Sequence, residues 1–262
     1  MTTTAFDCDQ GIVSCDTRWS ADLSLQDGNY ILLVDDTGFN KIAFRKGGVI
    51  ICAGDGLTIG KLKEWWKSEP FDPDAIPDLK DNGMFKVSVM VVSADGERLF
   101  DAGPKQVVYN PEKEHMHAIF SGSGGGMAAG AFMQCGCIKS AVSVAKCVDP
   151  KSGGEVKYYV LKTEENNLQD ETMDYNSIMD SMRNRGMLMK FKGLYAANSE
   201  HITTIPLREH HQADQVVDAL KNGSIHAYAP MGGSEVEWSV ERINKLKEAA
   251  RKVAALEKLM EG

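Results

Sequence analysis

The sequence predicts an α+β protein in which helices pack on antiparallel β-sheets. Strand-like runs outnumber helical ones, and most neighbouring strand-like runs are separated only by tight turns. Tight turns require antiparallel pairing, because a parallel pair needs a crossover of a dozen or more residues. Helical stretches with one apolar face then cover the sheets, which gives a layered domain.

The composition is typical of a soluble globular protein. The chain has 262 residues, of which 43% are hydrophobic and 25% are charged, and this length supports a large core. A net charge of −8 and a pI of about 5.3 argue against nucleic acid or an anionic membrane as a partner. The sequence shows no signal-peptide pattern and no apolar run of membrane-spanning length. We therefore expect a cytoplasmic protein.

The cysteines fit the same expectation. All six lie in apolar strand-like or helical segments, where reduced cysteines of cytosolic proteins are commonly buried. Cys135 and Cys137 are the only close pair in the sequence, and no second pair or histidine stands at the spacing of a metal site. We expect no metal and no cofactor.

Short strands follow one another through the first 161 residues. Turn residues at 9–11 and 46–48 join the members of two hairpins. The β-branched, aromatic and alternating patterns predict strands, in chain order, at Thr3–Phe6, Ile12–Cys15, Tyr30–Val34, Lys41–Phe44, Val49–Ala53, Phe85–Val92, Val107–Tyr109, His117–Phe120 and Val156–Val160.

Two helical stretches interrupt these strands. Leu57–Lys67 has apolar residues at 59, 62, 65 and 66, the spacing of an amphipathic helix. Met127–Ala145 is also helical, and Gly136 is expected to break it into two compact helices. Residues 69–84 are rich in proline and aspartate and predict a loop with at most one helical turn.

The character of the sequence changes after residue 161. A polar stretch precedes predicted helices at Tyr175–Arg185, Ala213–Lys221 and Val236–Met260, with one or two strands between Gly186 and Leu207. We therefore divide the chain into a domain at residues 1–161 and a C-terminal extension at residues 162–262, which is helical or α+β. The extension could cover a cleft, extend an oligomer interface or bind a partner.

A candidate nucleophile lies at the start of the chain. Removal of Met1 would leave Thr2 with a hydroxyl and a free α-amine, and such an amine titrates near pH ~7.7–8.0. The two groups together make a nucleophile with its own base. Considered alone, Thr2, Thr3 and Thr4 are more typical of an ordinary edge strand than of a catalytic site.

Four further motifs follow Thr2 in order along the chain. Asp16-Thr17-Arg18 comes first, and Lys41 then precedes Ala53-Gly54. Gly122-Ser123-Gly124 and Asp149-Pro-Lys-Ser152-Gly-Gly complete the set. Each motif also has a plain explanation. Asp16 and Lys41 could be a surface ion pair of ~0–1 kcal/mol, and the glycines could form ordinary turns.

In this order the motifs resemble the proteasome β-subunit family and its bacterial HslV-type relatives, over residues 2–161. That family belongs to the N-terminal-nucleophile (Ntn) hydrolases. The resemblance implies a four-layer αββα sandwich of antiparallel sheets. Several intervals between the motifs are shorter here than in typical members, so the helices are expected to be short. The C-terminal extension is foreign to the family pattern.

The resemblance also implies a role for each matching residue. Thr2 would be the nucleophile, and its amine would take the hydroxyl proton directly or through a water. Lys41 would lie beside the hydroxyl and pair with Asp16, while Arg18 would stabilise the same part of the site. The remaining matches are the oxyanion donor Gly54, the amine-holding group of Ser123, Asp149 and Ser152, and an apolar specificity pocket lined by Trp19, Ser20, Phe39, Ala43 and Cys52.

The implied function is that of a threonine peptidase. It would cleave peptides or unfolded proteins as a homo-oligomer, with an ATPase as a possible partner and with no nucleic-acid or membrane partner. Two alternatives stay open. One is an amidase or acylase for a small substrate on the same fold, and the other is a non-catalytic assembly or regulatory protein that retains Met1.

Overall fold

A computed structural model describes residues 2–81, 84–85, 87–110, 112, 114–169, 171–190, 204–233 and 236–261. The strands are β1 (Thr4–Asp7), β2 (Ile12–Asp16), β3 (Trp19–Leu25), β4 (Gly28–Val34), β5 (Ile42–Arg45), β6 (Gly48–Asp55), β7 (Lys80–Asp81), β8 (Met84–Phe85), β9 (Val87–Ser93), β10 (Arg98–Ala102), β11 (Lys105–Asn110), β12 (His115–Ser121), β13 (Val156–Val160), β14 (Met187–Lys190), β15 (Thr204–Pro206) and β16 (Tyr228–Ala229). The helices are α1 (Gly56–Trp66), α2 (Gly125–Cys135), α3 (Ile138–Val148), α4 (Asn176–Arg185), α5 (Ala213–Lys221) and α6 (Val240–Glu261), with a 3-10 turn at Leu207–Glu209.

Two antiparallel sheets form the centre of the protein. The smaller sheet has five strands in the order β11-β12-β1-β2-β13. The larger sheet has nine, in the order β10-β9-β6-β16-β3-β4-β14-β15, with β5 paired to β6. Each of these pairings is antiparallel, so the prediction of an α+β protein with antiparallel sheets is confirmed.

Alternation along the strands places the two sheets face to face. Val13 and Cys15 of β2 pack in one cluster with Val49 and Ile51 of β6. The intervening β6 residue Ile50 points the other way, into a separate cluster. Because successive strand residues point to opposite faces, β6 contributes side chains both to the core between the two sheets and to the core on the other face of the larger sheet.

Helices cover the outer faces of both sheets. On the smaller sheet, Phe120 packs against Phe132 of α2 and Val142 of α3. On the larger sheet, the apolar faces of α1, α4, α5 and α6 meet strands β3, β4, β6 and β9. The layers therefore run helices, sheet, sheet, helices. Within the part of the chain described above, no helix combines the length and apolar character that crossing a membrane requires.

Local signals set the ends of the first three helices. The Asp55 side chain caps α1 by accepting a 2.7 Å hydrogen bond from Thr58 N. Gly136 ends α2 in the left-handed conformation, at φ +60°, and α3 begins at Ile138. The predicted break at Gly136 is confirmed.

Several predictions need correction. The last helix begins at Val240, not at Val236, and the predicted loop at residues 69–84 has no helix in its described part but ends in the short strands β7 and β8. Strand β3 was not predicted. Cys15 and Cys52 are buried, but Cys135 and Cys147 are exposed on the outer helices. The division at residue 161 stays a prediction, although β14, β15 and β16 of the extension belong to the larger sheet.

Candidate active site

The first hairpin brings Thr2 and Asp16 together. Strands β1 and β2 pair with Thr4 opposite Cys15, so the residues just beyond them are adjacent. The Thr2 hydroxyl donates a 2.5 Å hydrogen bond to Asp16 Oδ1, and the Thr3 amide donates to the same oxygen at 2.9 Å. Short hydrogen bonds of this kind are typical when the acceptor is a carboxylate.

The Asp16 carboxylate is fully buried and fully paired. Lys41 Nζ lies 2.8 Å from Oδ1, and both side chains are 0% exposed. The second oxygen, Oδ2, accepts from the backbone amides of Arg18 at 3.1 Å and Gly153 at 3.0 Å. A buried charge is tolerated only with such partners. The alternative of a surface ion pair between Asp16 and Lys41 is therefore wrong.

Lys41 reaches Thr2 through this carboxylate. Its ammonium group has three protons, which match three acceptors: Asp16 Oδ1, the Asp16 carbonyl at 2.9 Å and the Arg18 carbonyl at 2.9 Å. The lysine and the threonine hydroxyl thus share one carboxylate oxygen. The cation is close to the hydroxyl but held in a fixed position by backbone groups.

A second polar group holds the backbone nitrogen of Thr2. That nitrogen donates to Ser123 Oγ at 3.2 Å, and Ser123 in turn donates to Asp149 Oδ2 at 3.4 Å. Ser152 donates to the same Asp149 oxygen at 2.7 Å and lies 2.9 Å from the Thr3 hydroxyl. The three residues predicted to hold the amine therefore form one connected network beside it.

Close backbone contacts explain the glycines around this network. Gly122 has φ +84°, and a Cβ there would lie 2.0 Å from the Thr2 carbonyl oxygen. Gly124 N donates to that same oxygen at 3.2 Å. Only glycine permits this approach without displacement of the backbone. These contacts hold the turn before α2 against the backbone of Thr2.

Arg18 connects the hairpin to the loop that carries Asp149. Its guanidinium makes a bidentate pair with Asp35, at 2.7 and 2.8 Å, and donates to the Pro150 carbonyl at 2.7 Å. Burial alone would lower the pKa of Arg18, but the hydrogen bonds and charge of Asp35 outweigh it and raise the pKa. Asp35 was not predicted as a site residue. Its position directly after an apolar strand was the available signal.

The predicted specificity pocket is closed in this structure. Trp19, Ser20, Phe39, Ala43 and Cys52 are each at most 1% exposed. The Trp19 and Phe39 rings meet edge to face at 5.6 Å, and Phe39 meets Tyr175 of the extension at 6.5 Å. Side chains therefore fill the space that the resemblance assigned to a substrate side chain. Tyr175 lies outside the region of resemblance, so the sequence did not indicate this closure.

Gly54 lies at the end of β6, with φ +128°. It pairs with Val87 of β9 on one side and with Ala229 of β16 on the other. The proposed oxyanion donor is thus next to a strand from the C-terminal extension. The two-residue strand β16 was not predicted, because so short a run shows no periodicity.

One histidine cluster has the composition of a metal site. Ligand atoms of Asp27, His210 and His211 lie within 4.8 Å of one another. However, His210 Nδ1 accepts a hydrogen bond from the Gln212 amide at 3.2 Å, which places the proton on Nε2. Nε2 then faces Asp27 Oδ1 at 3.5 Å, and Lys190 Nζ also lies 3.5 Å from Asp27. This geometry favours a charge cluster over metal ligation.

No protein-family model matches the chain, and a search of curated proteins found no match. The resemblance therefore rests on the ordered motifs and on the contacts that their side chains make.

Proposed function

We propose that this chain is a threonine peptidase of the proteasome β-subunit and HslV-like family, with Thr2 as its nucleophile after removal of Met1. One observation supports this most directly. The Thr2 hydroxyl is hydrogen-bonded to a buried carboxylate that is itself paired with Lys41. The layer order of helices, two antiparallel sheets and helices supports the four-layer sandwich of Ntn hydrolases.

The first step would be attack by Thr2 Oγ1 on a peptide carbonyl carbon. The α-amine, freed by loss of Met1, would take the hydroxyl proton directly or through a water. Asp16 orients the hydroxyl, and Lys41 keeps that pair neutral overall. The buried carboxylate therefore adds no net negative charge that would oppose an anionic oxygen. Ser123, Asp149 and Ser152 would hold the amine in place.

The second step would clear the acyl-enzyme. The departing amine of the substrate takes the proton from the Thr2 amine, which leaves an ester on Oγ1. A water, deprotonated by the same amine, then attacks the ester carbonyl and restores the hydroxyl. The Gly54 amide would stabilise the oxyanion in both steps, and such a donor is worth ~2.7–4 kcal/mol in the transition state.

The proposal includes the setting in which the enzyme works. The family resemblance favours a cytoplasmic homo-oligomer that acts on peptides or unfolded proteins, with an ATPase as a candidate partner. The side chains that would dock such a partner are not among the residues assigned above.

A non-catalytic regulatory protein is the second candidate function. Thr2 is 0% exposed, and the predicted specificity pocket is filled. Both observations favour this alternative over an amidase for a small substrate, which would need an open pocket beside Thr2. Retention of Met1 would distinguish the regulatory protein from the peptidase.

Mass spectrometry and covalent labelling test the proposal. We expect the intact mass to show loss of Met1, and a peptide vinyl sulfone to label Thr2. The variant Thr2→Ala should also lose Met1, because alanine is small, yet it should not be labelled. Thr4→Ala is the matched control, since Thr4 is buried two positions further along, at the start of β1, and takes no part in the Asp16 network. Full removal of Met1 without any labelling of Thr2 would contradict the proposal.

A further inference from the structure

Strand β16 joins two strands that otherwise have no contact in the sheet order. Tyr228 pairs with Ser20 of β3 and with Asp55 of β6, and Ala229 pairs with Gly54. Neighbouring strands lie roughly 4.8 Å apart, so β3 and β6 flank a slot one strand wide. A slot between two strand edges accepts an extended polypeptide through its backbone. The C-terminal extension supplies that polypeptide from within the same chain.

The slot leads to the proposed nucleophile. Strand β3 begins three positions after Asp16, and the proposed oxyanion residue Gly54 is the second-last residue of β6. Beyond β16, the chain continues to Gly232, where a Cβ would lie 2.5 Å from the Gly122 carbonyl and 2.7 Å from Ser123 Cα. These are the residues that hold Thr2. The segment therefore runs along the slot and then over the group beside the nucleophile.

Polar contacts hold this segment in place. The Ser20 hydroxyl donates to the Tyr228 carbonyl at 3.3 Å, and Gly56 N donates to the Ala227 carbonyl at 2.9 Å. The Tyr228 hydroxyl is hydrogen-bonded to Asp22, whose other partner, Lys151 Nζ, lies 2.7 Å away. Ala227 and Ala229 are 0% exposed and belong to the hydrophobic core of the larger sheet, but β16 contributes only two residues to the sheet.

A cavity of about 410 Å³ lies beside the segment. Asp22, Gly54 and Asp55 line it, together with residues of the segment and of the turn before it, namely Ser224, Ile225, His226, Tyr228, Pro230 and Met231. Elements with a short ladder open at a small fraction of the global unfolding free energy. Displacement of the segment breaks its two pairings with β6 and its one pairing with β3, and it uncovers the small side chains of Ala227 and Ala229.

We propose that residues 227–233 are a built-in inhibitory strand, which occupies the substrate slot between β3 and β6 and must leave before Thr2 can act. This inference rests on the proposed peptidase function. It adds that the free chain reacts slowly, only while its own extension has left the slot, and that an extended peptide competes with the segment for the same backbone groups.

Two variants weaken the segment and leave every proposed catalytic residue unsubstituted. Tyr228→Phe removes the hydroxyl that bonds Asp22 and keeps the ring. Ala229→Pro removes an amide from the ladder opposite Gly54. Tyr109→Phe is the matched control, because Tyr109 is 65% exposed on β11 and its hydroxyl is not part of the segment's contacts. Thermal unfolding of each variant checks that the fold is kept.

The experiment measures two quantities on full-length protein that has lost Met1. One is the rate at which a peptide vinyl sulfone labels Thr2, and the other is amide hydrogen exchange in residues 224–233. We expect Tyr228→Phe to label about fivefold faster and Ala229→Pro at least about tenfold faster, with faster exchange in the segment and no change in Tyr109→Phe.

The outcomes separate the two proposals. Equal labelling of wild type and opened variants overturns the inhibitory strand and leaves the peptidase function standing. No labelling of any protein, with exchange showing the segment open, overturns the peptidase function and the inhibitory role with it. Exchange in the wild-type segment as fast as in an unfolded chain also overturns the inference, because the slot would then be empty.

Discussion

Two aspartate–lysine pairs, with nearly equal lengths, behave very differently in this protein. Lys41 lies 2.8 Å from Asp16 and Lys151 lies 2.7 Å from Asp22. The first pair is 0% exposed on both sides, whereas the Asp22 side chain is 56% exposed and that of Lys151 is 15% exposed. The distance between the charges therefore says little about how much an ion pair contributes to stability. Burial decides how strongly the solvent screens the attraction between the two charges.

The difference in burial distinguishes the pair beside Thr2 from the pair beside Tyr228 of the C-terminal segment. The Asp16 and Lys41 side chains are 0% exposed, and each of their polar atoms has a protein partner. Asp22 and Lys151 are partly exposed, and both contact Tyr228: Asp22 at the hydroxyl, and Lys151 with its Nζ 5.6 Å from the ring centroid. We infer that the first pair keeps the nucleophile in one position, while the second allows the C-terminal segment to leave.

The largest expected effect comes from substituting the two lysines. Lys41→Met would leave the Asp16 charge buried without a partner, and such losses cost about 3–5 kcal/mol of unfolding free energy. Lys151→Met removes the exposed pair and should cost less than about 1 kcal/mol. Urea unfolding of both variants measures the difference. Equal losses in the two variants would show that burial does not separate the pairs.

A smaller effect is expected on raising the pH. Burial and the hydrogen bond to Asp22 raise the pKa of Tyr228 above its ordinary 10.0. A group with a raised folded pKa stabilises the folded contact fully below its unfolded pKa, and this stabilisation is lost as the pH rises through the folded value. The segment should therefore loosen above pH 10. Thr2 labelling of wild type should then approach that of Tyr228→Phe, while a constant ratio of the two rates would argue against this contact.

Added salt should have the smallest effect. Between 0.15 and 1 M salt the screening length falls from about 8 Å to about 3 Å, which weakens exposed pairs and hardly alters buried ones. We expect labelling of Thr2 in wild type to rise by less than about twofold, and labelling of Lys151→Met to stay constant. A larger rise in the variant would mean that other charges hold the segment.

Much of the local structure was predictable from neighbouring residues. The first hairpin follows from β-branched strands around a glycine turn, and α5 has the predicted bounds Ala213–Lys221. The split at Gly136 follows from the residue's tolerance of positive φ. These signals act over a few positions, so one sequence is enough to detect them. Strand β3 escaped prediction because its polar residues at the exposed positions obscured the run.

The candidate site was predictable only as a set of residue types in a particular order. Thr2, Asp16 and Lys41 were identified by resemblance, and their shared carboxylate oxygen became visible in the structure. Asp35 was missed because its role depends on the position of Arg18. The buried state of the Asp16–Lys41 pair also depends on the surrounding sheets, which neither residue reveals.

The sequence by itself determined which chemical groups are available near the start of the chain and where most helices and strands form. Only the tertiary structure decided that Tyr228 would lie beside Ser20, 208 positions away, and that Tyr175 would close the space next to Phe39. The physical reason is that β16 is positioned by backbone pairing with β3 and β6, whereas its own two residues carry no strand pattern. Contacts at such separations follow from how the sheets pack, and here they place Gly232 of the C-terminal extension against Gly122 and Ser123, next to Thr2.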